Sequence, residues 1–473
     1  MLFNSFAFLF SFLPLMLAAF FAARQYSPAA AHLILILGSL CFYALLDWVH
    51  LPVLLGSGAI NYLLGQVLIG RIGAGRPTLA WLWLAVLFNL GLLGGYKYLG
   101  LVLPLLGIDF PAIAAPLGIS FFTFHQLSYV IDIHRQRIVP TGLRDYSLYV
   151  SFFPHLIAGP IMRYGQFAPQ LAGPRMAIDF AGGLFFFAVG LCKKTVLADT
   201  LAPIADRVFA SAAAGKLLGC GEAVKGILAY TWQIYFDFSG YADMAIGLGL
   251  LLGIALPINF AAPYRAASIS EFWRCWHITL SQFLRDYVYI PLGGSRHGGR
   301  RQVVALLLTM TLAGLWHGAA LTFVAWGALH GLALVVAALW RRSGGRLLVL
   351  PRLVSTGLTF VVVALLWVLF RAEDFSSALA CYRGLTTITA PAWPAAWSGW
   401  LLDPAWREWL WIGAGAGVVF ALKPTAQWAG YQGAAIPPGR LTLGHGTVAG
   451  ILLWLSLKTM TLEPLRSFVY FVF

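Results

Sequence analysis

Apolar residues run along this chain in stretches of about twenty, parted by short polar turns, and that pattern predicts helices of membrane-spanning length. Stretches at residues 2–24, 29–48, 51–70, 78–99, 112–131, 181–202, 223–254, 302–321, 322–340, 353–370, 409–422 and 447–462 carry it. They amount to about ten or eleven crossings, with 223–254 expected to be broken. The first stretch lacks a basic flank ahead of it and is long for a signal segment, so it reads as an uncleaved span. The alternating ten-residue segments of an outer-membrane barrel are not seen. The expected fold is an all-α polytopic membrane protein in one unit. Its N-terminal spans cover 1–110, its core about 112–340, and its C-terminal spans 353–473.

Three stretches are too polar or too proline-rich to face lipid. SFFTFHQLSYVIDIHR (120–135) holds His125, Ser128 and Asp132. YVSFFPHLIAGPIMRYGQF (149–167) holds two prolines and an AGP turn, and reads as re-entrant. YTWQIYFDFSGYADMAIG (230–247) holds Gln233, Asp237, Ser239, Tyr241 and Asp243, an expected buried polar network. Irregular or polar backbone survives at membrane depth only where protein or water covers it, so these stretches are expected to line a central funnel or tunnel.

Chemistry-bearing residues concentrate between Glu271 and Gly318. Read as one helix over 271–288, Arg274, His277, Ser281 and Arg285 fall at i, i+3, i+7 and i+11, a single face flanked by Phe272, Trp273, Trp276, Leu280, Phe283 and Leu284. A basic turn, SRHGGRR, follows, and then an apolar helix with one histidine, His317, between Trp316 and Gly318. A helix starting near Gln302 carries His317 about 22 Å along its axis, at ~1.5 Å per residue. Ionisable groups at such depth are expensive and face a protein interior or a wet cavity. A lone histidine in an apolar helix can also be a hydrogen-bonded structural residue, as His125, His155 and His330 are expected to be.

Composition narrows the class. Residues are 60% hydrophobic and 10% charged, against about 25% charged in soluble domains, which excludes a soluble protein. The net charge of +14 sits in short loops between spans, so it reads as the positive-inside pattern and not as a nucleic-acid surface. With the N-terminus outside, Arg24, Arg71, Arg76, Arg135, Arg137, Arg144, Arg296–Arg301 and Arg341–Arg352 all fall in the cytoplasm, and the topology is self-consistent to about residue 370. The five cysteines are odd in number, without ligand spacing, and read as small apolar residues. No carboxylate stands at ligand spacing to His277 or His317, so no metal site is expected.

The segments FWRCWHITLSQFLRDYVYIPLGG and GLWHG, with FLFSFLPL, SFFTFHQLSYVIDIHR, SFFPHLIAGPIMR, YFDFSGYADMAIGLGLLLG and LPINFAAPYRAASISEFWRCWH in this order, resemble the membrane-bound O-acyltransferase family. Within it the chain resembles the bacterial polysaccharide branch, that of the alginate O-acetyltransferase membrane subunit. It departs in Cys275, where the family often has arginine, and in its tail FVYFVF.

The resemblance implies O-acyl transfer at the bacterial inner membrane. Acetyl-CoA would be the donor, with no bound cofactor, and an exopolysaccharide hydroxyl the acceptor, reached through a periplasmic partner. His317 becomes the essential histidine, a base for the hydroxyl. His277 becomes the second signature residue, positioning substrate or polarising the donor carbonyl. Arg274, Ser281, Trp316, Asp237, Tyr241 and His125 are expected around the cavity. Arg296, Arg300 and Arg301 either touch donor phosphates or only set topology and meet anionic lipid heads. Direct transfer needs no acyl-carrying Cys275. A transporter or scaffold subunit of an export complex, without bond chemistry of its own, is the alternative.

Overall fold

A computed structural model describes the chain apart from residues 109–113, 141, 173–177, 297, 343–349, 389–403, 434–435, 437–439 and 472–473. Every described element is helical. The helices are α1 (Phe8–Tyr26), α2 (Pro28–Asp47), α3 (Leu51–Gly73), α4 (Leu79–Leu105), α5 (Ile119–His134), α6 (Leu143–Ser151), α7 (Phe153–Leu156), α8 (Tyr164–Leu171), α9 (Phe180–Cys192) and α10 (Asp199–Ala213). They continue as α11 (Cys220–Leu251), α12 (Ile269–Cys275), α13 (Ile278–Leu284), α14 (Gly299–His317), α15 (Leu321–Arg342), α16 (Arg352–Arg371), α17 (Phe375–Gly384), α18 (Pro404–Ala421), α19 (Thr425–Ala429) and α20 (Leu443–Leu462).

Among the described residues, seven helical stretches are long and apolar enough to cross a membrane: α1 to α4, the run Phe180–Ala213, α15 and α16. The protein is a multi-pass membrane protein. The other expected spans correspond to α5, α11, α14, α18 and α20, with residues 112–113 outside the described part. The expected break in 223–254 does not occur. α11 is one helix of 32 residues, almost all buried. Its two mid-helix carboxylates, Asp237 and Asp243, are paired with Lys194 and Lys193 at 2.7 and 2.6 Å, so they can be buried without opening its backbone.

α5 and α11 form the buried middle, and the apolar spans pack outside them. α9 lies so close on α11 that a Cβ at Gly190 would stand 2.5 Å from the Gly240 carbonyl oxygen. Small residues at such crossings let backbones approach and replace the hydrophobic drive that lipid does not supply. The stretch 149–167 is irregular as expected: α6 ends, α7 makes one turn, and an extended segment leads to α8, nearly all of it buried in protein.

The segment after α20 turns back into the protein. Lys194 binds Asp199 at 2.8 Å and Asp237 at 2.7 Å, and donates to the Ser467 carbonyl at 3.1 Å. Asp237 also accepts from the Val469 backbone N–H at 2.8 Å. Phe468 packs edge-on against Tyr241, 4.6 Å between centroids. Asp237 and Tyr241, read from the sequence as cavity groups, thus anchor the C-terminal segment instead.

Candidate active site

The single helix expected over 271–288 is two helices. Ser268 caps α12, its hydroxyl accepting from the Glu271 N–H at 3.2 Å. The chain then leaves helical geometry at Trp276 (φ −100°, ψ 129°), and His277 takes a left-handed conformation (φ 42°, ψ 54°) before α13 starts. Left-handed backbone costs a non-glycine residue about 1–2 kcal/mol, so something must hold it there. Asn259 does. Its side-chain oxygen accepts from the Thr279 N–H (3.2 Å), the Thr279 hydroxyl (3.0 Å) and His277 Nδ1 (3.2 Å). Its backbone carbonyl takes the Ile278 N–H at 3.0 Å, and Ala261 N–H donates to the Cys275 carbonyl at 3.0 Å.

This clamp fixes the tautomer. An oxygen that accepts from two Thr279 donors can only accept from His277, so Nδ1 carries the proton and the neutral ring has its lone pair on Nε2. The ring is fully buried, edge-on to Phe238 at 4.7 Å and 6.2 Å from Trp316.

The break also separates residues expected on one face. Arg274 is exposed and donates to its own helix, at the Ser270 carbonyl. Ser281 donates to the Trp276 carbonyl at 3.3 Å, covering an acceptor freed by the break. Arg285 turns to Asp286 on the surface. Only His277 faces inward.

His317 is the last residue of α14, 4% exposed. Its ring is walled by Trp316 (4.8 Å), Trp326 of α15 (5.3 Å) and Phe370 of α16 (5.0 Å). Trp316 stands between the two histidines and stacks on Phe124, which stacks on Phe283 at 4.1 Å. The turn after His317 depends on Gly318, where a Cβ would lie 2.4 Å from the Phe323 ring.

The last carbonyls of α14 lack helical partners. α4 supplies them. Tyr98 hydroxyl donates to Leu315 O at 2.7 Å, and the Lys97 ammonium to His317 O at 3.0 Å and to Trp316 O.

Two cavities lie near this region, and His317 lines the first. The first, about 270 Å³, is lined by His317, Trp316, Lys97, the stretch 115–121, Ile157 and Phe471. The second, about 600 Å³, is lined by Arg265, Arg352, Arg440, Gln427, Gln432 and Cys275, two residues before His277. They belong to opposite ends of the α14–α15 hairpin. His317 closes one end, and at the other Arg342 binds Gln302 (2.7 Å) and Arg341 binds Ser270 (2.9 Å). About 22 Å of helix lies between Gln302 and His317, at ~1.5 Å per residue.

Of the expected site residues, the structure brings together His317, His277 and Trp316. The His125 ring stands 4.5 Å from the His155 ring and lines neither cavity, and His330 accepts from the Trp273 indole at 3.2 Å. Arg296, Arg300 and Arg301 are exposed near the start of α14, and none lines either cavity. Sequence reasoning missed Lys97, Asn259 and the Arg265–Arg352–Arg440 set. Lys97 had a readable signal: it is the single cation of an apolar span, and a charge at that depth is expensive.

Fold and site together define a multi-pass helical membrane protein with a pair of buried histidines beside Trp316. The family model MBOAT, membrane-bound O-acyltransferase family, matches residues 111–344, and the chain belongs to that family. It is a membrane-bound O-acyltransferase. The peptidoglycan O-acetyltransferase of Helicobacter pylori is 38% identical over 426 residues, 81% of this chain and 80% of that protein. A probable alginate O-acetylase of Pseudomonas aeruginosa is 41% identical over 405 residues, 81% of this chain and 75% of that protein. The teichoic acid D-alanyltransferase of Streptococcus thermophilus is 27% identical over 243 residues, 48% of this chain and 58% of that protein.

Proposed function

We propose that this enzyme moves an acetyl group from acetyl-CoA, at the cytoplasmic face of a bacterial inner membrane, to a hydroxyl on the outer side. The final acceptor is an exopolysaccharide or cell-wall glycan, reached through a periplasmic partner protein. The observation that carries the reading is that His317 lines the smaller cavity while the buried His277, beside the same Trp316, lies two residues from Cys275 in the wall of the larger, arginine-lined one. The positive-inside rule puts the arginine-rich end in the cytoplasm.

The larger cavity then receives the donor. Arg265, Arg352 and Arg440 line this cavity and offer guanidinium groups for its phosphates, whereas Arg296, Arg300 and Arg301 line neither cavity. The thioester reaches inward past Cys275 towards His277, and the acceptor hydroxyl enters the smaller cavity towards His317. His317 takes the hydroxyl proton as the oxygen attacks the thioester carbonyl. The C–S bond breaks, the imidazolium returns its proton to the departing thiolate, and CoA-SH and the O-acetyl ester result. One ester-type bond replaces another, so no ATP is needed.

The tautomer set by Asn259 gives His277 an accepting Nε2, which suits holding a donor group of substrate and not polarising a carbonyl. The aromatic wall of Trp316, Trp326 and Phe370 keeps water from the thioester. Relatives named for alginate and for peptidoglycan acetylation support a glycan acceptor.

The test is transfer from radiolabelled acetyl-CoA by the protein in vesicles with its periplasmic partner fraction. His317→Ala is expected to lower transfer by about 10²–10⁴-fold while the protein still inserts. Transfer at the wild-type rate would overturn the assignment. A pure export subunit would show no label transfer in either protein.

A further inference from the structure

We propose that Lys97 is a further catalytic residue, its ammonium holding the oxygen of the thioester carbonyl as that oxygen turns negative. The inference rests on the reaction proposed above, and it fills a place that His277 leaves open. With Nδ1 donating to Asn259, the neutral His277 ring has no N–H left for a carbonyl oxygen. Another donor must meet the charge that develops beside His317.

The wall of the smaller cavity supplies one. Lys97, on α4, lines that cavity together with His317 and Trp316. Its ammonium meets the Trp316 and His317 carbonyls and sits 5.8 Å from the Trp316 ring centroid. Its charge is felt at the His317 imidazole. An ammonium has three N–H donors, and two are spent on the carbonyls. Among the described residues no acid pairs with Lys97, although Lys193 and Lys194 both have carboxylate partners. None of the described residues lining the cavity is acidic. α5 begins at the same wall, at Ile119, without a side-chain cap, so the positive end of its dipole adds to the field of the ammonium. The chamber is therefore electropositive before substrate arrives, which favours a transition state with an anionic oxygen.

Helix capping alone does not call for a charge here. Tyr98, the next residue, caps the adjacent carbonyl with a neutral hydroxyl. A lysine in a membrane span is expensive and marks a functional site by default. In the step, the acceptor oxygen bonds to the carbonyl carbon, its proton goes to His317, and the C=O π pair moves onto the carbonyl oxygen. Lys97 donates a hydrogen bond to that oxyanion and keeps its own proton. When the pair returns, C=O re-forms, the C–S bond breaks, and the thiolate takes the proton from His317. The step is the same for a hydroxyl of a partner protein and for one of a glycan.

The experiment compares acetyl-CoA with fluoroacetyl-CoA as donors in single turnovers, in vesicles holding the partner fraction and wild type, Lys97→Met, Lys97→Gln or Lys97→Arg. Fluorine withdraws electrons and stabilises the oxyanion by itself, so fluoroacetyl transfer needs the ammonium less. Lys97→Met is expected to lower acetyl transfer by about 10²–10³-fold, the scale of one lost oxyanion donor, with donor KM unchanged. The ratio of fluoroacetyl to acetyl rates, which cancels any general loss from disturbing α14, should rise by about tenfold. Lys97→Gln keeps N–H donors for the α14 carbonyls without the charge and should stay slow, while Lys97→Arg should recover part of the rate. An equal fall on both donors, or a rate restored by Lys97→Gln, would overturn the role and leave Lys97 as a helix cap. The infrared stretch of acetyl-CoA isotope-labelled at the carbonyl carbon is read alongside, bound to the detergent-solubilised protein without acceptor. It should move to lower frequency on wild type and not on Lys97→Met. That shift without any transfer would contradict the proposed reaction but keep the contact; transfer with an unchanged donor ratio would do the reverse, and neither shift nor transfer would overturn both.

Discussion

His277 holds a conformation that its own side chain disfavours, and the energy comes from its neighbours. Three hydrogen bonds to Asn259 offset a left-handed backbone that costs about 1–2 kcal/mol. Asn259→Ala should therefore free the 276–279 turn and let the imidazole rotate. The expected outcome is a fall in kcat of about 10²-fold, the scale of a misplacement near 1 Å, with the protein still inserted; steady-state transfer assays read it. Asn259→Asp, which keeps the accepting oxygen, should recover part of the rate. None of this was legible in the sequence. EFWRCWHITLSQFL has helical periodicity and no glycine or proline, so local pattern predicts one helix. The break is imposed by a residue twelve positions before Glu271, in a segment that reads only as loop. His317 was legible for the opposite reason: a single polar side chain in an apolar helix announces itself.

At the level of elements, the site is the closed end of the α14–α15 hairpin. The two helices touch backbone to backbone: a Cβ on Gly314 would fall 2.1 Å from Phe323 O, and one on Gly327 2.2 Å from Met310 O. Gly314→Val should wedge the helices apart three residues before His317. It is expected to lower transfer by at least about tenfold and to destabilise by about 1–3 kcal/mol, the usual cost of overpacking. Gly91→Ala, on an open face of α4, should leave both transfer and thermal unfolding unchanged. Span existence was legible from hydropathy, because length and apolar content set it. Which spans are central was legible only in part: the polar content of 120–135 and 230–247 placed α5 and α11 inside, but wrongly argued for a broken α11. Its carboxylates are paired with Lys193 and Lys194, from the π-helical turn Lys193–Ala198, and a pairing across elements leaves no mark in local sequence.

Across the whole molecule, buried charge and one buried segment tie distant parts together. Lys194 joins α10, α11 and the C-terminal stretch, while Arg371 and Arg466 share Asp206 at 2.9 and 3.0 Å. Lys194→Met leaves two carboxylates buried and releases the segment that ends at the His317 cavity. It should destabilise by about 3–5 kcal/mol, as removal of one partner from a buried pair does, read as thermal unfolding in mild detergent. The two cavities and the histidines near them make one claim about the whole protein: donor and acceptor meet from opposite sides of the membrane. The direct measurement uses inside-out vesicles with partner and glycan sealed in the lumen and radiolabelled acetyl-CoA added outside. The account predicts O-acetyl label on luminal glycan and free CoA-SH outside, both lost with His317→Ala. Label appearing only when acetyl-CoA is sealed on the same side as the glycan would contradict it.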